Sequence, residues 1–242
     1  MDIKGEKCHS YGAKSIAIMQ PYFFPYIGYF QLLKAVDFFI IYDDVNYINK
    51  GYINRNSILV NMQAHKITLA LLGASQNKLI NEIEIGDNAS KILKTIELAY
   101  KNAPFFSEVF PILNNIFMNK EKNLAKFIGN SLRVIASSLG LHTNILYSSE
   151  IEKNNTLSAQ YKIIEICKKL GISIYINAIG GQQLYDPTAF KNQNIDLFFI
   201  KSKPQQYKQF KNTFVPDLSM IDIMMFNEKP YILNMLEQYE LF

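Results

Sequence analysis

Short apolar runs alternate along this chain with stretches of helical spacing. Ser15-Ile16-Ala17-Ile18 is one run, Gln31 to Val36 has helical spacing, and Phe38-Phe39-Ile40-Ile41-Tyr42 is a second run that ends in Asp43-Asp44. Between the first run and the helix lies Met19-Gln20-Pro21-Tyr22-Phe23-Phe24-Pro25-Tyr26-Ile27-Gly28-Tyr29-Phe30, dense in tyrosine and phenylalanine and punctuated by proline. The order predicts strand, loop, helix, strand, the opening of an α/β domain. Folds of this class bind ligands in loops at strand ends, so a loop this costly to order suggests a site.

Further along, Lys66 to Leu72 and Ile80 to Ile85 predict strands, and 45–57 reads as a polar and aromatic loop punctuated by Gly51. Asn88 to Asn102, Phe105 to Met118 and Leu124 to Leu139 predict helices, with Gly140 at the last C-terminus. This segment, about 88–140, reads as a helical insertion or cap. Asn144 to Tyr147 predicts a strand leading to Ser148-Ser149; Thr156 or Ser158 caps a helix reaching Leu170; Ile172 to Ile176 and Ile195 to Ile200 predict two more strands. Asp186-Pro187 opens a short helix, and the tail reads as helical over Ser219 to Asn227 and Pro230 to Tyr239. The expectation is a single α/β domain over 15–242, with a mainly parallel sheet and flanking helices, preceded by a flexible leader over 1–14.

Composition narrows the class. The chain is 49% hydrophobic and 19% charged, which places it among globular proteins. A net charge of +4 with interspersed signs gives no argument for DNA. Of the 25 basic residues only Arg55 and Arg133 are arginines, so a forked guanidinium contact is available at two places. Cys8 sits in the polar leader and Cys167 on the apolar side of a helix, which argues against a disulfide between them and for a reducing compartment. No apolar run approaches the ~20 residues of a membrane span, and the N-terminus has no apolar core of a signal peptide. The expected location is the cytoplasm.

Phosphate-loop, dinucleotide, nucleophile-elbow and paired-cysteine patterns are all missing. His9, His65 and His142 stand apart from one another and from any carboxylate at ligand spacing, so no metal site is predicted. Three clusters remain, each just after a strand. Asp43-Asp44 offers two carboxylates that alternate faces, suited to an ammonium or a metal ion or else to a turn. Lys50, Asn54, Arg55 and Asn56 gather two cations and two amides, suited to carboxylate, phosphate or sugar hydroxyls. Asn177-Ala178-Ile179-Gly180-Gly181-Gln182-Gln183-Leu184-Tyr185-Asp186 places a Gly-Gly where backbone N–H groups approach a ligand, or where a tight turn needs glycine. In an open parallel sheet these loops share one crevice. Tyr26-Ile27-Gly28-Tyr29 also has the spacing of the H-x-G-H run of nucleotidylyltransferase-like enzymes, with tyrosine for both histidines, and Lys201-Ser202-Lys203 could play the distant lysine loop.

The ordered set QPYFFPYIGYFQL (20–32), DDVNYINKGYINRN (43–56), NAIGGQQLYD (177–186) and LSMIDIMMFN (218–227) resembles the WbqC-like family over about 15–227. The resemblance marks Gln20, Pro21, Pro25, Gly28 and Tyr29, then Asp43, Asp44, Lys50, Asn54, Arg55 and Asn56, then Asn177, Gly180, Gly181, Leu184 and Tyr185. It implies a part in O-antigen or other surface-polysaccharide biosynthesis: transfer of an amino-acyl group such as glycine to the amino group of a nucleotide-linked sugar. The implied enzyme is an aminoacyltransferase or an ATP-dependent ligase, its donor either an amino acid activated by ATP with Mg²⁺ or an aminoacyl-tRNA. Asp43, Asp44, Arg55 and Lys50 are the expected catalytic residues. Gln20, Tyr22, Tyr26, Tyr29, Asn54, Asn56, Asn177, Gly180, Gly181 and Tyr185 are the expected substrate contacts. The rival expectation is a non-catalytic protein that binds sugar nucleotides or glycans within a biosynthetic complex.

Overall fold

The computed structural model describes residues 13–157, 159–211 and 213–242. Most of the expected leader, with Cys8 and His9, and the alternative helix cap Ser158 lie outside the described residues. The central sheet is built from β1 (Ser15–Met19), β2 (Phe38–Ile41), β7 (Asn144–Tyr147), β8 (Ile174–Ala178), β9 (Asp196–Ser202) and β10 (Tyr239–Leu241). Its strand order is β10-β9-β8-β1-β2-β7, parallel throughout except for β10, which runs antiparallel to β9 at the edge. The chain therefore works outward from β1 to β2 and β7, then returns to the other side of β1 for β8 and β9. That reversal is the switch point at which a doubly wound sheet opens a crevice.

The central strands are apolar without alternation because both of their faces are covered. Ala17, Phe39 and Ile41 belong to the larger core, while Ile16, Ile18 and Ile40 point into the smaller one on the opposite face. The larger core takes in α1 (Ile27–Ala35), α2 (Ala89–Tyr100), α3 (Phe106–Phe117), α4 (Leu124–Leu139), α7 (Met220–Phe226) and α8 (Lys229–Met235). The smaller core is closed by α5 (Ala159–Lys169) and α6 (Pro187–Lys191). Helices α2 to α4 thus share one continuous core with the sheet. Asp186 caps α6 through Thr188 N, Gly140 ends α4 at φ 76°, and Gly171 follows α5 at φ 64°.

Three segments differ from the sequence expectation. A hairpin, β3 (Arg55–Val60) and β4 (Gln63–Thr68), replaces the end of the expected loop and the start of the expected 66–72 strand. Its turn residues Asn61 and Met62 both have positive φ, at 49° and 64°, the geometry of a tight two-residue hairpin turn. The expected strand over 80–85 is a 3-10 turn at Ile80–Glu82 followed by the two-residue β6 (Glu84–Ile85), which pairs with β5 (Leu71–Leu72). Ile80 and Ile83 are buried three residues apart, and that spacing stacks side chains in a 3-10 turn. The tail leaves α8 at Met235 and finishes as the edge strand β10, so the expected final helix is shorter.

Candidate functional site

The loop after β1 is held open by several anchors at once. Asn56 Nδ2 donates to the carbonyls of Phe23 and Phe24 at 3.2 and 2.7 Å, Ser219 Oγ donates to Phe24 O at 2.7 Å, and Met220 N donates to Pro25 O at 2.9 Å. Phe24 sits at φ 43°, a strained conformation for an aromatic residue that persists only where its surroundings over-determine it. Phe23 and Phe24 are buried against Phe117. With these two turned inward, Tyr26 is left at the surface.

Tyr26 and Tyr52 are 41% and 61% exposed, and the half-buried Tyr22 ring lies 5.9 Å from that of Tyr52. Burial first, then the neighbouring phenols, pushes the Tyr22 hydroxyl above its ordinary range; burial and then Asp217 do the same for Tyr26. These hydroxyls are therefore neutral hydrogen-bonding groups. Gly28 explains the Y-x-G spacing, because a Cβ there would fall 2.4–2.6 Å from the Tyr26 ring, which lies across it. Tyr29 is buried and donates to Gln20 O at 3.0 Å, so the two tyrosines of that run face different surroundings. Gly28→Ala is expected to expel the Tyr26 ring, changing the Tyr26 NMR resonances and the near-ultraviolet circular dichroism. The melting temperature should move little, since alanine gains about 1 kcal/mol of helix propensity over glycine. Unchanged Tyr26 resonances in the folded variant would refute this packing.

The carboxylate pair lies two strands away from the switch point, at the facing ends of β2 and β7. Ser149 donates to Asp43 through both its backbone N (2.9 Å, to Oδ1) and its Oγ (2.6 Å, to Oδ2). Asn81 Nδ2 adds a 3.4 Å contact to Asp43 Oδ2. Ser148 Oγ donates to Asp44 Oδ1, and Lys153 Nζ pairs with Asp44 Oδ2 at 2.5 Å. The Lys153 side chain is 1% exposed and also donates to the carbonyls of Ser148 and Ile151. Asp43 is buried, whereas Asp44 lines a cavity of about 360 Å³ together with Val45, Asn46, Leu79, Asn155 and Lys162.

Towards β8 the site continues through tyrosines. Burial, then Asp44, then Tyr185 pushes the Tyr42 hydroxyl up to about 12. Tyr175 Oη and Tyr185 Oη are 3.2 Å apart, and Asn177 also hydrogen-bonds Tyr185. Gly180 and Gly181 lie in a 3-10 turn (Ile179–Leu184) and neither has positive φ, so the Gly-Gly is not there for a left-handed turn. A Cβ at 181 would meet Asn177 Nδ2 at 2.6 Å, whereas the space above Gly180 is open.

Several expected contacts are used inside the protein. Asn54 accepts from Tyr47 Oη at 2.9 Å and donates to Leu69 O at 2.8 Å, and Asn56 is occupied by the aromatic loop as above. Both are buried and both help build the site's frame. Arg55 Nε donates to Gly51 O at 3.0 Å, and Lys50 is exposed at φ 63° on the loop before β3. Arg133 stacks on Tyr147 and bonds its hydroxyl and the Ile145 carbonyl, tying α4 to β7. His65 and His142 are exposed, and Cys167 is a free buried thiol pushed up to about 12 by burial. Lys153, Lys162 and the serines opposite the carboxylates were not singled out as site residues by sequence, because the run Glu150 to Asn155 looks like a solvated loop.

A groove of about 790 Å³ between α5 and α6 is larger, but helix side chains such as Tyr161, Glu165 and Lys168 line it, and no strand-end carboxylate opens into it. The carboxylate pair does not suit Mg²⁺. Lys153 already neutralises Asp44, and Asp43 is turned onto Ser149, whereas Mg²⁺ requires free oxygens in near-octahedral array. Among the described residues no three His, Cys, Asp or Glu side chains gather to hold a metal, and no helix is long and apolar enough to cross a membrane.

The four motifs thus come together as one structure: the third motif ends at the crevice, and the second and fourth clamp the aromatic loop of the first. A family model described as the WbqC-like protein family matches residues 20–232. The chain belongs to this family. The uncharacterized protein Rv1507c of Mycobacterium tuberculosis is a relative of this WbqC-like chain, 27% identical over 216 residues, covering 87% of this chain and 93% of its own. No solved structure gives a significant match.

Proposed function

We propose that this WbqC-like protein is an amide-forming enzyme that transfers an amino-acyl group to a nucleotide-linked amino sugar in surface-polysaccharide biosynthesis. The observation that carries the reading is Asp44, a carboxylate fixed by Ser148 and Lys153 and opening on a small cavity at the strand ends. In the reaction the sugar nitrogen bonds to the acyl carbon as the carbon–oxygen bond to the leaving group breaks, releasing AMP or phosphate from an ATP-activated amino acid or the terminal ribose hydroxyl of a charged tRNA. The proton lost by nitrogen passes to Asp44, the accessible member of the pair. Tyr22, Tyr26 and Tyr52 offer ring faces to the sugar or its base.

Incubation of the protein with a nucleotide-linked amino sugar, an amino-acid mixture and ATP, followed by mass spectrometry, tests the reading. A parallel arm replaces amino acids and ATP with charged tRNA. The sugar nucleotide is expected to gain one amino-acyl mass. Asp44→Asn, assayed at a temperature where circular dichroism shows it folded, is expected to lose at least about 100-fold in rate, the lower range of general-base contributions. No mass gain with either donor defeats the proposal. The second reading, a non-catalytic sugar-nucleotide carrier, draws on the exposed tyrosines; it is favoured if the wild type binds the sugar nucleotide and makes no product.

A further inference from the structure

The cavity beside Asp44 is lined by one carboxylate and one ammonium, Asp44 and Lys162. Asp44 already has its own cation, Lys153, in place. Lys162, from the first turns of α5, lines the same cavity and has no ion-pair partner among the described residues. Asn155 and Asn46 line it as well. Asn46 Nδ2 is engaged with Gln76 O, while Asn155 lies on the exposed loop before α5. Val45 and Leu79 provide the apolar part of the wall. At about 360 Å³ the space lies near the small end of ligand pockets, sized for a metabolite of few atoms.

A half-buried lysine with no ion-pair partner among the described residues, lining a cavity with neutral amides, is the complement of a carboxylate, which it binds as a charge-assisted hydrogen-bond acceptor. We propose that this cavity is a carboxylate subsite in which Lys162 binds the free acid group of the acyl donor, within the same cavity as Asp44, where the attacking amine arrives. The inference rests on the amide-forming reading and deepens it: a donor recognised by its free carboxylate is a free amino acid, whose carboxylate ATP activates before the nitrogen attacks, so that AMP or phosphate is the group expelled. An aminoacyl ester, whose carboxylate is already consumed, lacks the group that Lys162 recognises.

Calorimetric titration of the whole protein, without sugar nucleotide or ATP, isolates the subsite from the reaction. Glycine and acetate carry a free carboxylate, whereas glycinamide and glycine methyl ester do not. Glycine and acetate are expected to bind at least ten-fold more tightly than the two blocked compounds. Lys162→Met is expected to erase that preference, and Lys162→Arg, which keeps the charge, to retain most of it. Blocked and free compounds binding alike, or glycine and acetate not binding at all, overturn the inference. So does a Lys162→Met protein that still prefers the free acids. The outcomes also separate the subsite from the reaction. A Lys162-dependent preference with no amide product under either donor leaves the subsite standing and removes the transfer reading. Amide formation by Lys162→Met with an unchanged KM for the amino acid, or product from charged tRNA without ATP, leaves transfer standing and removes the subsite.

Discussion

Lys153→Met is expected to destabilise the protein by about 3–5 kcal/mol, the cost of removing one partner from a buried ion pair. The Lys153 side chain is 1% exposed and the Asp44 side chain 9%, so the variant leaves a largely buried carboxylate without its counter-ion. The Ser148 and Ile151 carbonyls lose the same donor. At roughly 2–4 °C per kcal/mol for a chain of this size, the melting temperature should fall by roughly 6–20 °C. The double variant Asp44→Leu with Lys153→Met should recover much of that loss, because replacing both charges removes the uncompensated carboxylate. Thermal unfolding of the four proteins of this cycle measures the coupling directly. A single variant that melts with the wild type would show that the pair does not hold the β2 and β7 ends together.

The second large effect is expected away from the cavity. Asp222 on α7 is fully buried and accepts from Tyr100 Oη (2.7 Å), Tyr207 Oη (2.6 Å) and Gln209 Nε2 (2.7 Å). Tyr100 in turn accepts from the backbone N of Leu59 at 2.8 Å, so one carboxylate ties α7 to α2, to β3 and to the 203–218 segment. Asp222→Ala leaves three buried donors without their acceptor and should cost about 3 kcal/mol or more. Asp222→Asn keeps the shape and should cost less.

The pH dependence separates this carboxylate from ordinary ones. Burial holds the Asp222 carboxyl above its usual range, with the three donors opposing it only in part. Folding therefore takes up a proton between the unfolded value of about 3.9 and the higher folded value. The contribution of Asp222 is fully present below the unfolded value and is lost as pH rises through the folded one. The stability advantage of wild type over Asp222→Asn should accordingly grow as pH is lowered through that window, as read by urea unfolding at several pH values. A difference that stays flat with pH would remove the shifted carboxyl from the account.

How far the sequence reached is clearest at these two places. The carboxylates Asp43 and Asp44 were legible because they end an apolar run, and strand ends are where such folds place ligands. Lys153 was not legible, since a lysine among polar residues normally faces water, and only the approach of the β7 loop to the β2 end buries it. Asp222 was visible only as one letter in the LSMIDIMMFN run; the tyrosines that receive it come from 100 and 207, far away in sequence. The same limit explains Asn54 and Asn56. Their amide chemistry is that of a ligand contact, yet the nearest unmet carbonyls belong to the protein's own backbone. The hairpin over 55–68 escaped for a local reason. Its turn uses Asn61 and Met62 at positive φ without a glycine to announce it.

By itself the sequence determined the alternation of strands and helices, the parallel character of the sheet and the C-terminal stop at Gly140. Each of these follows from local periodicity and backbone preference, which act within a few residues. It also determined the family, through four motifs in order. Tertiary structure alone decided which polar side chains are used internally and which are left for a ligand. It turned Phe23, Phe24 and Tyr29 inward and left Tyr26 exposed within one aromatic run, and it set Lys153 against Asp44 and brought Lys162 to the same cavity. The physical reason is that burial and hydrogen-bond satisfaction are properties of neighbours brought from distant parts of the chain, so no local pattern can assign them.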